Sequence, residues 1–235
     1  MSSRQEEKER RRREREEREQ AERRKAAGRR RMQLVAGGVL AVVAIGAVVA
    51  AIAGLGGGSK KASSAALGTA PIPARKITDF NAALKAAGCT WKTYPSEGRE
   101  HLPSDTAINN KYKTNPPSSG SHRPTPAADQ VYAPGSPPAK ENAVHALEHG
   151  RIEIEYAPGT SKQVEDQLNT LYNEPLKGVP GYHQLLFQNN TNMPFKVAAV
   201  AWTQVMGCTT MNPQVFDAIR AFRDRFVDKG PELIP

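Results

Sequence analysis

The chain has 235 residues and a formal net charge of +9, and that charge is unevenly distributed. Residues 1–31 hold 14 Lys/Arg and 8 Asp/Glu, which account for +6 of the total. The rest of the chain is nearly balanced, so its composition excludes a strongly basic, nucleic-acid-binding domain, and no nucleic-acid partner is predicted.

Residues 1–33 are predicted to form a charged arm without a core of its own. Residues 1–31 contain no Leu, Ile, Val or aromatic side chain. A coiled coil needs a repeating apolar seam, which this segment lacks, so the sequence argues against one. We interpret the segment as a solvated arm, with Glu and Arg at spacings that support a transient helix.

Residues 34–55, LVAGGVLAVVAIGAVVAAIAGL, contain no charged residue. As a helix they would be about 33 Å long, enough for the roughly 30 Å hydrocarbon core of a bilayer. This predicts a transmembrane helix, and therefore a single-pass protein whose first partner is the membrane. The alternative is a cleaved signal peptide, whose apolar core is normally only about 7–15 residues long.

Basic residues predict the orientation of this helix. Arg29, Arg30 and Arg31 adjoin its N-terminal end, whereas Lys60 and Lys61 are the nearest basic residues beyond the other end. A surplus of Lys and Arg favours the cytoplasmic side of a membrane helix. The arm is therefore predicted to be cytoplasmic, and the C-terminal domain is predicted to be extracytoplasmic, at the cell membrane.

Residues 56–77 are predicted to be a flexible linker, and residues 78–235 to be one extracytoplasmic α+β domain. The linker is small, polar and punctuated by proline, as is typical of a tether. The predicted fold of the domain is a small, mostly antiparallel sheet packed with helices. It would be preceded by the transmembrane helix and contain a long Pro/Gly-rich structured loop.

The predicted elements of the domain begin with a short helix that ends near Gly88. The Pro/Gly-rich stretch at 96–143 then breaks regular structure. The later helices are predicted at 141–149, 161–174 and 212–230, and the strands at 151–156, 182–188 and 195–206. The last of these strands is apolar enough to be central in a sheet.

The predicted strand RIEIEY at 151–156 alternates apolar and charged side chains. Ile152, Ile154 and Tyr156 would lie on one face, and Glu153 and Glu155 on the other. This alternation predicts a half-buried strand whose glutamates face away from the core.

Cys89 and Cys208 are the only cysteines of the chain. Both lie in the domain that we expect outside the cytoplasm, where oxidising conditions favour pairing. The sequence therefore predicts a disulfide between them. Two free thiols or thiolate ligands are the alternatives, and a cytoplasmic domain would favour them.

Several motifs resemble those of a bacterial membrane-anchored family that is described as a domain of unknown function. The matching stretches span roughly residues 86–232 and are AAGC, GREHLP, TNPPSSGSHRP, VHALEHGRIEIEYAP, AVAWTQVMGC and IRAFRDRFVDKGPE. The NPPxSGxH and HxLEHG motifs are the most specific. The resemblance implies the same membrane topology, and it groups as motif positions His101, His122, His145, His149, Cys89 and Cys208.

Four histidines are predicted to form a metal site. His145 and His149 would lie one helical turn apart, on the side away from the apolar residues of their helix. Such a pair is a common way for one helix to supply two metal ligands. His101 and His122 in the loop would complete a nitrogen-rich site for a zinc or copper ion. The alternative is that these histidines make hydrogen bonds that fix the loop.

Other functions remain open on the sequence. HALEH fits the H-x-x-E-H pattern of zinc peptidases, in which Glu148 would be the catalytic general base. That pattern needs a longer helix and a later carboxylate ligand, which nothing in the sequence selects. A non-catalytic module that contacts an envelope protein partner is the third possibility. Met206 and Met211 would favour copper if they were ligands, although methionine more often fills a core.

Overall fold

A computed structural model describes residues 68–103, 110–232 and 234 of the chain. The chain divides into two units, and these residues belong to the second, Ser63–Pro235. The predicted arm at 1–33 and transmembrane helix at 34–55 lie outside the described residues. None of the described helices is long and apolar enough to cross a membrane.

The described residues form four helices and five strands. In chain order they are α1 (Phe80–Ala87), β1 (Thr90–Thr93), α2 (Lys140–Glu148), β2 (Ile152–Tyr156), α3 (Lys162–Asn173), β3 (Gln184–Gln188), β4 (Val197–Ala201), β5 (Gln204–Cys208) and α4 (Val215–Phe226). The strands form one sheet in the order β1-β5-β4-β2-β3. Only the β2–β3 pair is parallel, so the sheet is mixed and the α+β class is confirmed.

One face of the sheet is covered by α1, α3 and α4 and is mainly apolar, although Gln184 of β3 and Arg223 of α4 are also buried there and hydrogen bond to each other. Its core includes Ile154 of β2, Leu168 of α3 and Phe222 of α4, which are fully buried. Three of the helices begin and end within about two residues of the prediction, whereas α4 begins three residues later and ends four residues earlier than the predicted 212–230, so Gly230 does not cap it. Asp79 caps α1 by accepting from Ala82 N at 2.8 Å, and the helix stops at Gly88, whose φ is 67°.

The opposite face is covered by α2 and by the irregular segment between β1 and α2. Leu147 of α2 packs on Ala198 and Val200 of β4. Two alanines of α2, together with the side chains of Tyr132 and Ala127 from the segment, pack on Leu185 and Phe187 of β3. This second layer buries the sheet on both sides and holds the candidate functional residues.

The predicted strand at 195–206 is in fact a hairpin of β4 and β5. The chain reverses at Trp202–Thr203, and Thr203 adopts a φ of 63°. Glycine or asparagine usually takes this conformation in a hairpin, so the sequence carries no turn signal there. Strand β1 is also absent from the sequence prediction, because its four residues show no alternation of apolar and polar side chains.

Strand β2 is buried on both faces, so the prediction of a half-buried strand is wrong. Glu153 and Glu155 are each 2% exposed. Glu153 lies between Leu185 and Val200 of the neighbouring strands, and α2 covers this face. Alternation along a strand reveals its two faces, but it does not reveal whether a further layer covers the polar one.

Candidate metal centre

Helix α2 and the irregular segment before it bring the candidate ligands together. His145 and Glu148 lie three residues apart in α2 and therefore share one side of the helix. The segment is tied to the first turn of α2, where Arg123 N donates to Glu141 O at 3.3 Å. The helix ends immediately after Glu148, because Gly150 takes a φ of 79°.

His101 and His122 are placed next to each other by a short parallel β-bridge. Leu102 N donates to His122 O at 2.7 Å, and His122 N donates to Glu100 O at 3.1 Å. The Pro/Gly-rich loop is thus held by backbone hydrogen bonds at the two positions where it presents an imidazole.

The four side chains His101, His122, His145 and Glu148 converge. One ligand atom from each lies within 4.8 Å of all the others. His122 Nε2 is 3.0 Å from Glu148 Oε2, and His101 Nε2 is 3.9 Å from the same oxygen. Tetrahedral zinc with metal–nitrogen bonds near 2 Å requires ligand atoms roughly 3.3 Å apart, so this group is capable of holding a metal ion.

Backbone carbonyls set the tautomers of two of these rings. His122 Nδ1 lies 2.8 Å from Gly120 O, and His145 Nδ1 lies 2.6 Å from Arg123 O. A carbonyl only accepts, so each neutral ring donates from Nδ1 and keeps a lone pair on Nε2. Metal-binding histidines are held in this way, with the other ring nitrogen donating to a backbone carbonyl.

Glu148 is 1% exposed, and neither of its carboxylate oxygens has a hydrogen-bond partner among the described residues. His122 Nε2, in a ring that is 0% exposed, lacks one as well. The short contact between these two residues therefore joins lone-pair atoms without the geometry of a hydrogen bond. Leaving such groups unpaired costs about 1–3 kcal/mol each, and more for a charge, unless a proton or a cation lies among them.

Burial shifts the titration of the cluster toward neutral side chains. It lowers the pKa of His122, His145 and His149, and neighbouring histidines lower them further. Burial, assisted by the charge of Glu232, raises the pKa of Glu148. Neutral imidazoles are the form that binds metals, and a bound cation would favour the ionised state of Glu148.

A second group of ligand atoms adjoins the first. Glu148, His149 and Glu232 also place one ligand atom each within 4.8 Å of the others. His149 Nε2 lies 3.4 Å from Glu232 Oε2 and 3.0 Å from His145 Nε2. Glu148 is thus common to both groups.

Three of the four predicted metal ligands, His101, His122 and His145, come together in one group. Its fourth member is Glu148, whereas His149 belongs to the adjoining group. His183 lies outside both groups and pairs with Asp228 through Nδ1 at 2.6 Å. Glu232 is a residue that the sequence prediction missed, and its only signal was its place in the closing motif.

The predicted disulfide between Cys89 and Cys208 is present. It links the residue before β1 to the last residue of β5, on the apolar side of the sheet. Met206 is fully buried in the same apolar core, and Met211 packs against it. Both methionines are therefore core residues rather than ligands of the histidine cluster.

Glu153 and Glu155 form a second buried acidic feature that the sequence prediction missed. Their carboxyl groups hydrogen bond to each other, and Asn189 Nδ2 donates to Glu155 Oε2 at 2.6 Å. Burial raises the pKa of both, that of Glu155 to about 7, and the proximity of Glu155 raises that of Glu153 further. Such a pair shares a proton near neutral pH.

The fold and the cluster define an α+β domain with a histidine–carboxylate group that is capable of holding a metal ion. Residues 101–233, more than half of the chain, match the family described as "Protein of unknown function (DUF3105)". The chain belongs to this family, as the motifs predict. No curated protein and no solved structure matches the chain.

Proposed function

We propose that this protein is a single-pass, membrane-anchored extracytoplasmic protein that binds a transition-metal ion. The proposed ligands are His101, His122, His145 and Glu148. The observation that carries the proposal is that buried His122 Nε2 and both Glu148 oxygens have no hydrogen-bond partner in the described part of the chain, and that they converge with ligand atoms of His101 and His145. A cation at their centre would pair with His122 Nε2 and with a Glu148 oxygen at the same time.

The donor set favours zinc over copper. Three imidazoles and one carboxylate are a common zinc environment, and neutral imidazole also suits copper(II). A copper(I) site would draw on soft sulfur ligands. The two methionines that the sequence offers as sulfur ligands, Met206 and Met211, belong to the core on the other face of the sheet.

Two features support the extracytoplasmic location. Residues 34–55 have the length and composition of a membrane helix, with the basic arm before them. The Cys89–Cys208 disulfide fits an oxidising compartment. Protease treatment of intact cells tests this directly: the C-terminal domain is expected to be cleaved, and its protection would contradict the topology.

Metal analysis of the full-length chain, purified in detergent without chelators, tests the binding itself. We expect bound zinc or copper in the wild type, and loss of the tightly bound ion in His122→Ala, His145→Ala and Glu148→Gln. Glu155→Gln is the matched control, because it removes a buried carboxylate outside both ligand groups and is expected to retain the metal. A wild type that binds no added metal would contradict the proposal.

The zinc-hydrolase alternative gives Glu148 a different role. A general base must stand beside a metal-bound water, whereas Glu148 Oε2 lies directly among the ligand nitrogens. Glu148→Gln separates the two roles. Loss of metal indicates a ligand, and retention of metal with loss of a hydrolytic activity would favour the hydrolase.

A non-catalytic interaction module is the second candidate function, and a polar cleft favours it. The cleft has a volume of about 740 Å³ and lies beside the N-terminal end of α2, where it is lined by Asn110, Tyr112, Asn190 and Asn192 among others. Amide and hydroxyl groups at its wall suit a polar envelope partner. A chain that remains metal-free but retains a partner through this cleft would favour the interaction module over the metal site.

A further inference from the structure

The shared residue Glu148 has two carboxylate oxygens, and within the part of the chain that the structure describes neither has a hydrogen-bond partner. Oε2 faces His122 at 3.0 Å. One ligand atom each of His149 and Glu232 also lies within 4.8 Å of a Glu148 carboxylate oxygen. A carboxylate with both oxygens free and with ligands on two sides is suited to bridging two cations, one on each oxygen.

We propose that the centre holds two metal ions bridged by Glu148, the first on His101, His122 and His145 and the second on His149 and Glu232. This inference rests on the proposed function and adds a second ion to it. The expected ligand is a divalent transition metal, with zinc the best match to the imidazole and carboxylate donors. In proteins with two such ions the separation is about 3.5–4 Å.

The C-terminal strap, which we define as residues 227–232, is built against the end of α2. Asp228 N donates to Gly150 O at 2.9 Å, and Glu232 N donates to Glu148 O at 3.1 Å. The fit is so close that a Cβ on Gly230 would lie 2.1 Å from Glu148 O. The strap therefore fixes Glu232 relative to the backbone of the bridging residue.

A side-chain anchor holds the strap from the other side. Asp228 accepts hydrogen bonds from His183 Nδ1 at 2.6 Å and from Tyr182 Oη at 3.2 Å, and it also pairs with Lys177. Asp228 itself has a φ of 59°, a left-handed conformation that aspartate adopts more readily than most residues other than glycine. These contacts place Glu232 without involving any member of the first ligand group other than Glu148.

The two positions differ in burial and in preorganisation. His122 and His145 are buried and oriented by backbone carbonyls, whereas the side chain of Glu232 is 37% exposed. Loss of such orienting contacts typically weakens metal binding by about 10–100-fold. The second ion is therefore expected to bind at least about 10-fold more weakly than the first, and to keep coordination positions open to water.

The rival arrangement is one ion shared by all the imidazoles, because His145 Nε2 and His149 Nε2 are only 3.0 Å apart. Calorimetric titration of the metal-free full-length chain with Zn²⁺ separates the two. We expect two equivalents of zinc, the second weaker. A single equivalent would overturn the bridged pair while leaving the proposed function intact, and no binding would overturn both.

Variants of the second ligand group show which residues bind each of the two equivalents of zinc. Glu232→Gln and His149→Ala are each expected to remove the weaker equivalent and to leave the tighter one, with its affinity changed less than about 10-fold. Glu165→Gln, a glutamate of α3 outside both groups, is the matched control and is expected to retain two. Two equivalents in both variants would overturn the assignment of His149 and Glu232.

Cu²⁺ provides a readout that does not depend on activity. Two Cu²⁺ ions bridged by a carboxylate are expected to couple magnetically, so the signal of isolated Cu²⁺ in electron paramagnetic resonance should fall as the second equivalent is added. Glu232→Gln should keep the uncoupled signal of one ion. An uncoupled signal that doubles in the wild type would contradict a shared Glu148.

Discussion

The two faces of the sheet are buried by different kinds of side chain. Under α1, α3 and α4 the buried residues are mainly aliphatic and aromatic, with Arg223 and Gln184 as a buried polar pair, and the Cys89–Cys208 disulfide lies among them. Under α2 and the preceding segment, the buried residues include His122, His145 and Glu148, together with two glutamates of β2. In the described part of the chain both layers contain buried polar atoms without a hydrogen-bond partner. In the first layer these are the donor nitrogens Gln184 Nε2 and Arg223 Nε, whereas in the second they include the acceptor atoms of His122 and Glu148, which converge.

This difference separates stability from function within one small domain. Apolar packing stabilises the domain through burial of surface, at about 25 cal/mol per Å². Buried carboxylates and unpaired lone pairs instead destabilise it, by amounts that a bound cation or a shared proton offsets. The apolar face therefore carries the fold, and the polar face carries the proposed metal centre.

Removal of the disulfide is the change expected to have the largest effect on stability, and it acts on the apolar face. The bond joins residues 119 positions apart, and the chain-entropy model predicts a loss of about 4–5 kcal/mol in Cys89→Ser/Cys208→Ser. Chemical denaturation of the full-length chain measures this loss. Where the double variant remains folded, its zinc affinity can be compared with that of the wild type. Equal affinities would show that the two faces are energetically separate. A loss below about 1 kcal/mol would contradict the role given to the disulfide.

The buried glutamate pair is expected to make stability depend on pH. Burial raises the pKa of Glu155 from 4.5 to about 7, so the folded state retains a proton that the unfolded state releases. The retained proton contributes roughly 3 kcal/mol to the free energy of unfolding. This contribution is fully present below pH 4.5 and is lost as the pH rises through about 7.

The Glu153→Gln/Glu155→Gln variant isolates this effect. The buried histidines contribute with the opposite sign, because their pKa values are lowered, so the quantity to compare is the difference in unfolding free energy between wild type and variant. That difference should shift in favour of the variant between pH 4.5 and 7. A difference that stays constant over this range would show that the pair does not titrate as described, and Glu165→Gln serves as the control.

Metal binding is expected to stabilise the polar face. At a free zinc concentration 100 times the dissociation constant, the unfolding free energy should rise by about 2.7 kcal/mol. Thermal or chemical unfolding with and without zinc measures the increase. Glu148→Gln should show much less of it, and an equal increase in this variant would place the metal elsewhere.

Two glycines provide a smaller and more local comparison. Gly150 and Gly135 have nearly the same φ, 79° and 76°, but only at Gly150 would a Cβ meet the backbone of Asp228, at 2.7 Å. Alanine in this conformation costs about 1–2 kcal/mol through strain alone. We expect Gly150→Ala to lower the free energy of unfolding by about a further 1–2 kcal/mol, because it displaces the strap. The same displacement should weaken the binding of the second zinc ion. Equal losses in the two variants would contradict the close packing of the strap.

The apolar face was the more predictable of the two. Helices α1, α3 and α4 follow from apolar spacing and from the cap at Gly88, because such signals are local. The hairpin of β4 and β5 could not be predicted, since Thr203 gives no turn signal. The polar face of β2 was misjudged, because burial of Glu153 and Glu155 depends on a helix that packs over them from elsewhere in the chain.

The candidate site was predictable in its residue types but not in its grouping. His145 and Glu148 share a helix, so their proximity follows from spacing. The convergence with His101 and His122 depends on the path of an irregular loop, which no periodicity reveals. Glu232 was missed because it reaches the site through a strap whose course is set by tertiary contacts.

X-ray absorption spectroscopy of the full-length chain loaded with one equivalent of zinc tests the central claim most directly. We expect a first coordination shell of nitrogen and oxygen only, near 2.0 Å, with the outer-shell scattering of about three imidazoles. His122→Ala should show a clear loss of imidazole scattering. A shell of oxygen alone, a sulfur ligand, or a spectrum unchanged in His122→Ala would contradict it.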